Sequence, residues 1–79
     1  MVLVRYFAGA RAAAGVREES VAATTVDELV TALTERHGER LAVVLKAASF
    51  LADGLTCHDR QAALPAGATV DVLPPFAGG

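Results

Sequence analysis

Tryptophan is absent, and cysteine occurs once, at Cys57. A single cysteine excludes an internal disulfide and fits a reducing cytoplasm. Aromatic residues are only 5% of the chain, and 17 of its hydrophobic residues are alanine. Valine and leucine must therefore build most of the core, within 79 residues, a size at which one core is only just sufficient. Positive charge is scarce as well. Seven Lys and Arg against nine Asp and Glu give a net charge of −2, with no basic run, which argues against nucleic-acid binding. The longest apolar stretch, residues 41–52, contains Lys46 and is too short to span a bilayer. The apolar start, residues 1–7, is too short for a secretion signal. One Cys and two scattered His, His37 and His58, do not make a metal site.

What is present reads as one small α+β domain. Val2 to Phe7 alternates as a strand, with Val2, Val4 and Tyr6 on one face and Leu3, Arg5 and Phe7 on the other. The Ala-rich segment from Ala8 to Gly15 follows as a plain connection. It lacks the Lys-Ser/Thr of a phosphate loop. Val16 to Val21 is the expected return strand, with Glu18 and Glu19 on a solvated edge. Thr25-Val26-Asp27-Glu28 forms a capping box, and Val26, Leu29, Val30 and Leu33 make one apolar stripe at helical spacing. This predicts a long helix over 26–37, stopped by Gly38. Glu39 to Ala48 predicts a shorter helix with Leu41, Val44 and Leu45 inward. Ser49 to Ala52 reads as a strand, Asp53-Gly54 as a hairpin turn and Leu55 to His58 as its return. Leu64-Pro65-Ala66-Gly67 is a turn. Thr69 to Leu73 is the last strand, with Val70 and Val72 on one face. The order matches a ubiquitin-like β-grasp roll, in which one long helix covers one face of a mixed sheet.

Residues 74–79, Pro-Pro-Phe-Ala-Gly-Gly, are expected to form a tail separate from the domain of residues 1–73. Pro74 and Pro75 lack backbone N–H groups, so pairing must stop there, and Pro-Pro favours an extended path. Six residues at about 3.3 Å each can reach on the order of 20 Å. Gly78 and Gly79 let the walls of another protein's site approach the backbone closely. The expected end is an ionised carboxylate on Gly79.

The first strand, the Thr-Val-x-Glu-Leu helix start, the Asp-Gly hairpin, the Leu-Pro-x-Gly turn and the closing Val-x-Leu-Pro-Pro-x-x-Gly-Gly together resemble the MoaD/ThiS family of sulfur carriers. The Pro-Pro pair places the resemblance on the MoaD side, that of the molybdopterin synthase small subunit. The resemblance implies that the Gly79 carboxylate is adenylated with ATP by a MoeB-like partner. A sulfur donor then converts it to a thiocarboxylate. It further implies insertion of the tail into a MoaE-like large subunit, where sulfur passes to cyclic pyranopterin monophosphate. The chain would then have no active site of its own and bind no cofactor, and ATP would be used by the partner.

Leu3, Phe7 and Leu73, on the outer sheet face, are expected to bind the partner together with Pro74, Pro75, Phe76, Ala77 and Gly78. An exposed apolar patch of that kind marks an interface. Cys57 reads as a small filler in a strand rather than a persulfide carrier. His37 reads as a cation at a helix C-terminus, and His58 beside Asp59 as an exposed loop residue. The rival functions are a sulfur carrier for thiazole or cysteine synthesis, a ubiquitin-like protein modifier, and a plain binding module.

Overall fold

Strict alternation in β1 (Val2–Tyr6) and β5 (Thr69–Leu73) sends Val2, Val4, Tyr6, Val70 and Val72 to one side of a sheet, where all five are buried. A computed structural model describes residues 1–75 of the chain. The tail residues Phe76, Ala77, Gly78 and Gly79 lie outside the described residues. β1 and β5 pair in parallel at the centre of a mixed five-stranded sheet. β2 (Glu18–Val21) flanks β1, and β3 (Ser49–Ala52) and β4 (Leu55–Thr56) continue beyond β5. The strand order β2-β1-β5-β3-β4 is that of a β-grasp roll.

Among the described residues three helices cover the buried face. The long one, α2 (Val26–His37), has the expected limits. The Thr25 hydroxyl accepts from the Glu28 N–H at 3.1 Å. The reciprocal half of the capping box is shifted by one residue: Glu28 accepts from the N–H and the hydroxyl of Thr24, at 2.9 and 2.8 Å. Hydrogen bonding to Thr24 holds the Glu28 carboxyl below its ordinary range. The apolar stripe delivers Val26, Leu29 and Leu33 to the core. Gly38 alone joins α2 to α3 (Glu39–Ala47). Its N–H donates to Thr34 and its carbonyl accepts from Ala42. It does this at φ 85° and ψ −162°, a conformation open essentially to glycine alone. Leu41 and Leu45 enter the core from α3, and Val44 is half-buried.

The segment expected to be a plain connection contains a further helix, α1 (Gly9–Ala14). Its alanines explain both the helix and its placement. Ala10 and Ala14 are buried, and side chains this small let α1 lie close against its neighbours. The hairpin return is also shorter than expected. Only Leu55 and Thr56 pair with β3, while Asp53 and Gly54 turn the chain at φ 49° and 86°, both positive as a tight hairpin requires. Asp53 also links the turn to β5. Its backbone N–H donates to the Thr69 carbonyl, and its carboxylate accepts from the Thr69 N–H. The hairpin is thereby tied to the start of β5. Cys57 lies just past the paired residues, its N–H still donating to the Phe50 carbonyl of β3 at 2.8 Å, and is half-buried and packed against the core.

Candidate functional site

The sheet ends where β5 runs into Pro74 and Pro75, and a groove of about 680 Å³ opens beside that exit. Phe7, Ala8 and Gly9 line it from the β1–α1 junction, and Val44 and Ala47 from α3. Ser49 contributes from β3, and Leu73, Pro74 and Pro75 from the departing chain. Among the described residues no charged side chain lines it. Pro74 is half-buried and Pro75 exposed. The strand phase explains the arrangement: Phe7 and Leu73 point away from the core face, and the Phe7 N–H still donates to the Val72 carbonyl. Ala8 turns the chain at φ 48° and ψ −124°. That is a strained position for a residue with a Cβ, and it lies in the groove wall.

Leu3, Phe7 and Leu73 are all half-buried on the outer face, but they do not form one patch. Arg5 stands between Leu3 and Phe7 on β1 and is in register with Asp71 of β5. Its Nε and Nη2 donate to the two Asp71 carboxylate oxygens at 2.7 and 3.1 Å. This hydrogen bonding to Asp71 raises the Arg5 guanidinium above its usual value. The fork also lies over the Phe7 ring, 5.7 Å from its centroid. Phe7 and Leu73 are brought to the groove with Pro74 and Pro75, whereas Leu3 lies on the far side of the ion pair. Sequence reasoning had Arg5 on the right face and missed its partner, 66 residues away.

Glu19 corrects the reading of a solvated edge. Glu18 is exposed, but Glu19 is half-buried at a junction of β1, β2 and α2. The Tyr6 hydroxyl donates to its Oε2 at 2.6 Å and Arg36 Nη1 to its Oε1 at 2.8 Å. His37 Nε2 is 2.5 Å from Oε2, and the His37 ring meets the Tyr6 ring edge-on. Burial acts to raise the Glu19 carboxyl, but the hydrogen bonds from Tyr6, Arg36 and His37 outweigh it and hold it below the usual range. Burial, reinforced by the bond to Glu19, pushes the Tyr6 phenol up. His37 therefore serves a structural clasp besides standing at the end of α2. His58 is exposed. Among the described residues no group of three or more His, Cys, Asp or Glu could hold a metal ion, and no helix is long and apolar enough to cross a membrane.

A small ubiquitin-like roll whose central strand runs into a Pro-Pro-x-x-Gly-Gly segment defines a class of carrier domains. A model of the ThiS family matches residues 4–79, and the chain belongs to that family, the ThiS/MoaD-like sulfur carriers of ubiquitin fold. No curated protein matches the chain significantly. Among solved structures it is similar to a putative molybdopterin converting factor, subunit 1, from Pyrococcus furiosus, with 26% identity and a TM-score of 0.78. That match covers 95% of this chain and 97% of that one. The fold also matches a complex of subunits 1 and 2 of the molybdopterin-converting factor from Helicobacter pylori, at 24% identity and TM-score 0.75, covering 99% and 97% of the two chains. The BexX/CysO complex from Amycolatopsis orientalis matches at 20% identity and TM-score 0.80, over the whole of both chains. Two of these three structures are complexes with a second protein.

Proposed function

We propose that this chain is the sulfur-carrying small subunit of a molybdopterin synthase, with sulfur held as a thiocarboxylate on Gly79. One observation carries the reading. The family match runs through residue 79, and β5, the strand that precedes the tail, is held at the centre of the sheet between β1 and β3. A rigid strand followed by Pro74-Pro75 suits presentation of a chain end to another protein. A carboxylate is a poor electrophile. ATP of a MoeB-like enzyme converts it to an acyl-adenylate with loss of pyrophosphate. Hydrosulfide from a sulfur donor then displaces AMP, its sulfur forming the new C–S bond as the C–O bond to AMP breaks, and leaves the thiocarboxylate. The large apolar groove suits a protein contact and not a nucleotide, which supports placing the ATP site on the partner. A MoaE-like large subunit then receives the tail, and two successive transfers to cyclic pyranopterin monophosphate build the dithiolene. On this reading Phe7, Leu73, Pro74, Pro75, Phe76, Ala77 and Gly78 guide the tail, Leu3 extends the contact, and Gly79 reacts.

The equally good fold match to CysO favours one alternative, a carrier that serves a different sulfur acceptor. Thiocarboxylated protein mixed with a molybdopterin synthase large subunit and the pyranopterin precursor separates the two. Molybdopterin formation with loss of the terminal sulfur is expected. Sulfur that stays on the carrier under those conditions, and leaves only when another acceptor enzyme is supplied, would transfer the assignment to the alternative.

A further inference from the structure

Phe7 separates two depressions of opposite character. On one side lies the apolar groove. On the other is a smaller hollow of about 130 Å³ lined by Arg5, Tyr6, Phe7, Arg11, Arg17 and Glu18. Three arginines from separate parts of the chain line it. Arg5 comes from β1, Arg11 from α1, and Arg17 from the turn before β2, where its carbonyl is fixed by the Tyr6 N–H at 2.8 Å. Arg5 is already neutralised by Asp71, and Glu18 is in register with Arg5 across the β1–β2 pair. Arg11 and Arg17 are exposed, and among the described residues neither has an ion-pair partner. In a chain of net charge −2, this is a local excess of positive charge beside an apolar wall.

We propose that this hollow receives a side-chain carboxylate of the protein partner, next to an apolar ridge that fills the groove across Phe7. The proposal rests on the carrier reading above, in that the groove and tail face a protein partner, and adds what that partner's surface must carry. Size decides the occupant. Pockets that hold a whole small molecule run to about 300–1,000 Å³, so the hollow is too small for a nucleotide, whereas a carboxyl group fits. Chemistry agrees, because paired N–H donors of arginine match a carboxylate in geometry as well as charge. The phenylalanine between the two depressions fixes the spacing. An acidic residue at the edge of an apolar ridge is recognised, and a ridge without one is not.

Binding of the intact protein to two purified probes tests this, a MoeB-like adenylating enzyme and a molybdopterin synthase large subunit, each titrated at low and high salt. Arg11→Glu and Arg17→Glu should each weaken the tighter complex about tenfold or more, mainly through slower association and a flatter salt dependence. Arg60→Glu makes the same charge change outside both depressions and should stay within about twofold. Circular dichroism checks that each variant is folded. Equal weakening by all three variants would reduce the effect to net charge and overturn the site. Wild-type affinity in both Arg11→Glu and Arg17→Glu would overturn it too, leaving the carrier reading standing. Failure of the wild type to bind either probe would instead overturn the partner reading, and this proposal with it.

Discussion

The two faces of the central sheet are made from the same strands and do different work. On the inner face Val4, Val70 and Val72 are fully buried beneath Leu29, Leu33, Leu41 and Leu45. On the outer face the residues between them are half-exposed. An ion pair, Arg5–Asp71, occupies the middle, with the Phe7–Leu73 groove toward the tail and Leu3 at the opposite end. A strand alternates its side chains with period two, so one stretch of chain can hold the domain together and present a contact surface. The difference predicts that substitutions on the two faces separate cleanly into those that unfold and those that only uncouple.

The inner face carries the largest expected effect. Leu33→Ala or Leu29→Ala should cost about 2–5 kcal/mol in denaturant unfolding. That is a large share of the roughly 5–15 kcal/mol available to a domain. Gly38→Ala comes next, at about 1–3 kcal/mol. An added Cβ there would meet nothing within 4 Å, so any loss of stability must come from the backbone conformation alone. Wild-type stability of this variant would show that the α2–α3 junction can adopt another path.

Glu19 sharpens the comparison at the margin between the faces. Its carboxyl is held below the ordinary range in the folded protein. Its contribution is therefore complete above the unfolded value and is lost as pH falls through the lowered one, below about pH 4–5. Glu19→Gln should lower stability at neutral pH by about 1–3 kcal/mol and flatten the acid limb of the melting curve. An unchanged acid limb would remove Glu19 from the account.

Outer-face substitutions should be smallest in stability and largest in association. Phe7→Ala and Leu73→Ala should weaken partner binding about tenfold or more, with melting shifted far less than by Leu33→Ala. Arg5→Ala should leave melting nearly unchanged, as exposed ion pairs do. If Phe7→Ala unfolds the protein, the division of labour between the faces is wrong.

The parts of this arrangement that the sequence makes legible are those whose signals are local. Thr25 and Glu28 mark the start of α2 within four residues, and the stripe from Val26 to Leu33 gives its buried face. Val70 and Val72 give the phase of β5, and Asp53-Gly54 the hairpin. The α1 helix was not legible, because a six-residue helix is marginal on its own. It forms because Ala10 and Ala14 pack into the core, and nothing in the Ala-rich run announces that packing. The Glu19 clasp gathers Tyr6, Arg36 and His37 from 13 to 18 residues away, so beside Glu18 it reads as one more solvated charge. At the site, Phe7 and Leu73 were readable from the pleat. The ion pair that cuts them off from Leu3 was not, since it needs the parallel register of β1 with β5. Phe76, Ala77, Gly78 and Gly79, which the sequence places in the tail, lie outside the described residues.

On the carrier reading, the chemistry takes place at Gly79. Deleting Gly79 would retract the reacting group by about 3.3–3.6 Å of extended chain, where a displacement of about 1 Å can already cost roughly 100-fold in rate. Gly78→Val should block the tail's approach without changing the fold. The most direct measurement is the intact mass of the protein after incubation with ATP, a MoeB-like adenylating enzyme and a sulfur donor, followed by localisation of the modification. The account predicts a mass gain matching one oxygen replaced by sulfur, on Gly79. Sulfur found on Cys57 instead, or molybdopterin formation by the Gly79 deletion, would contradict it.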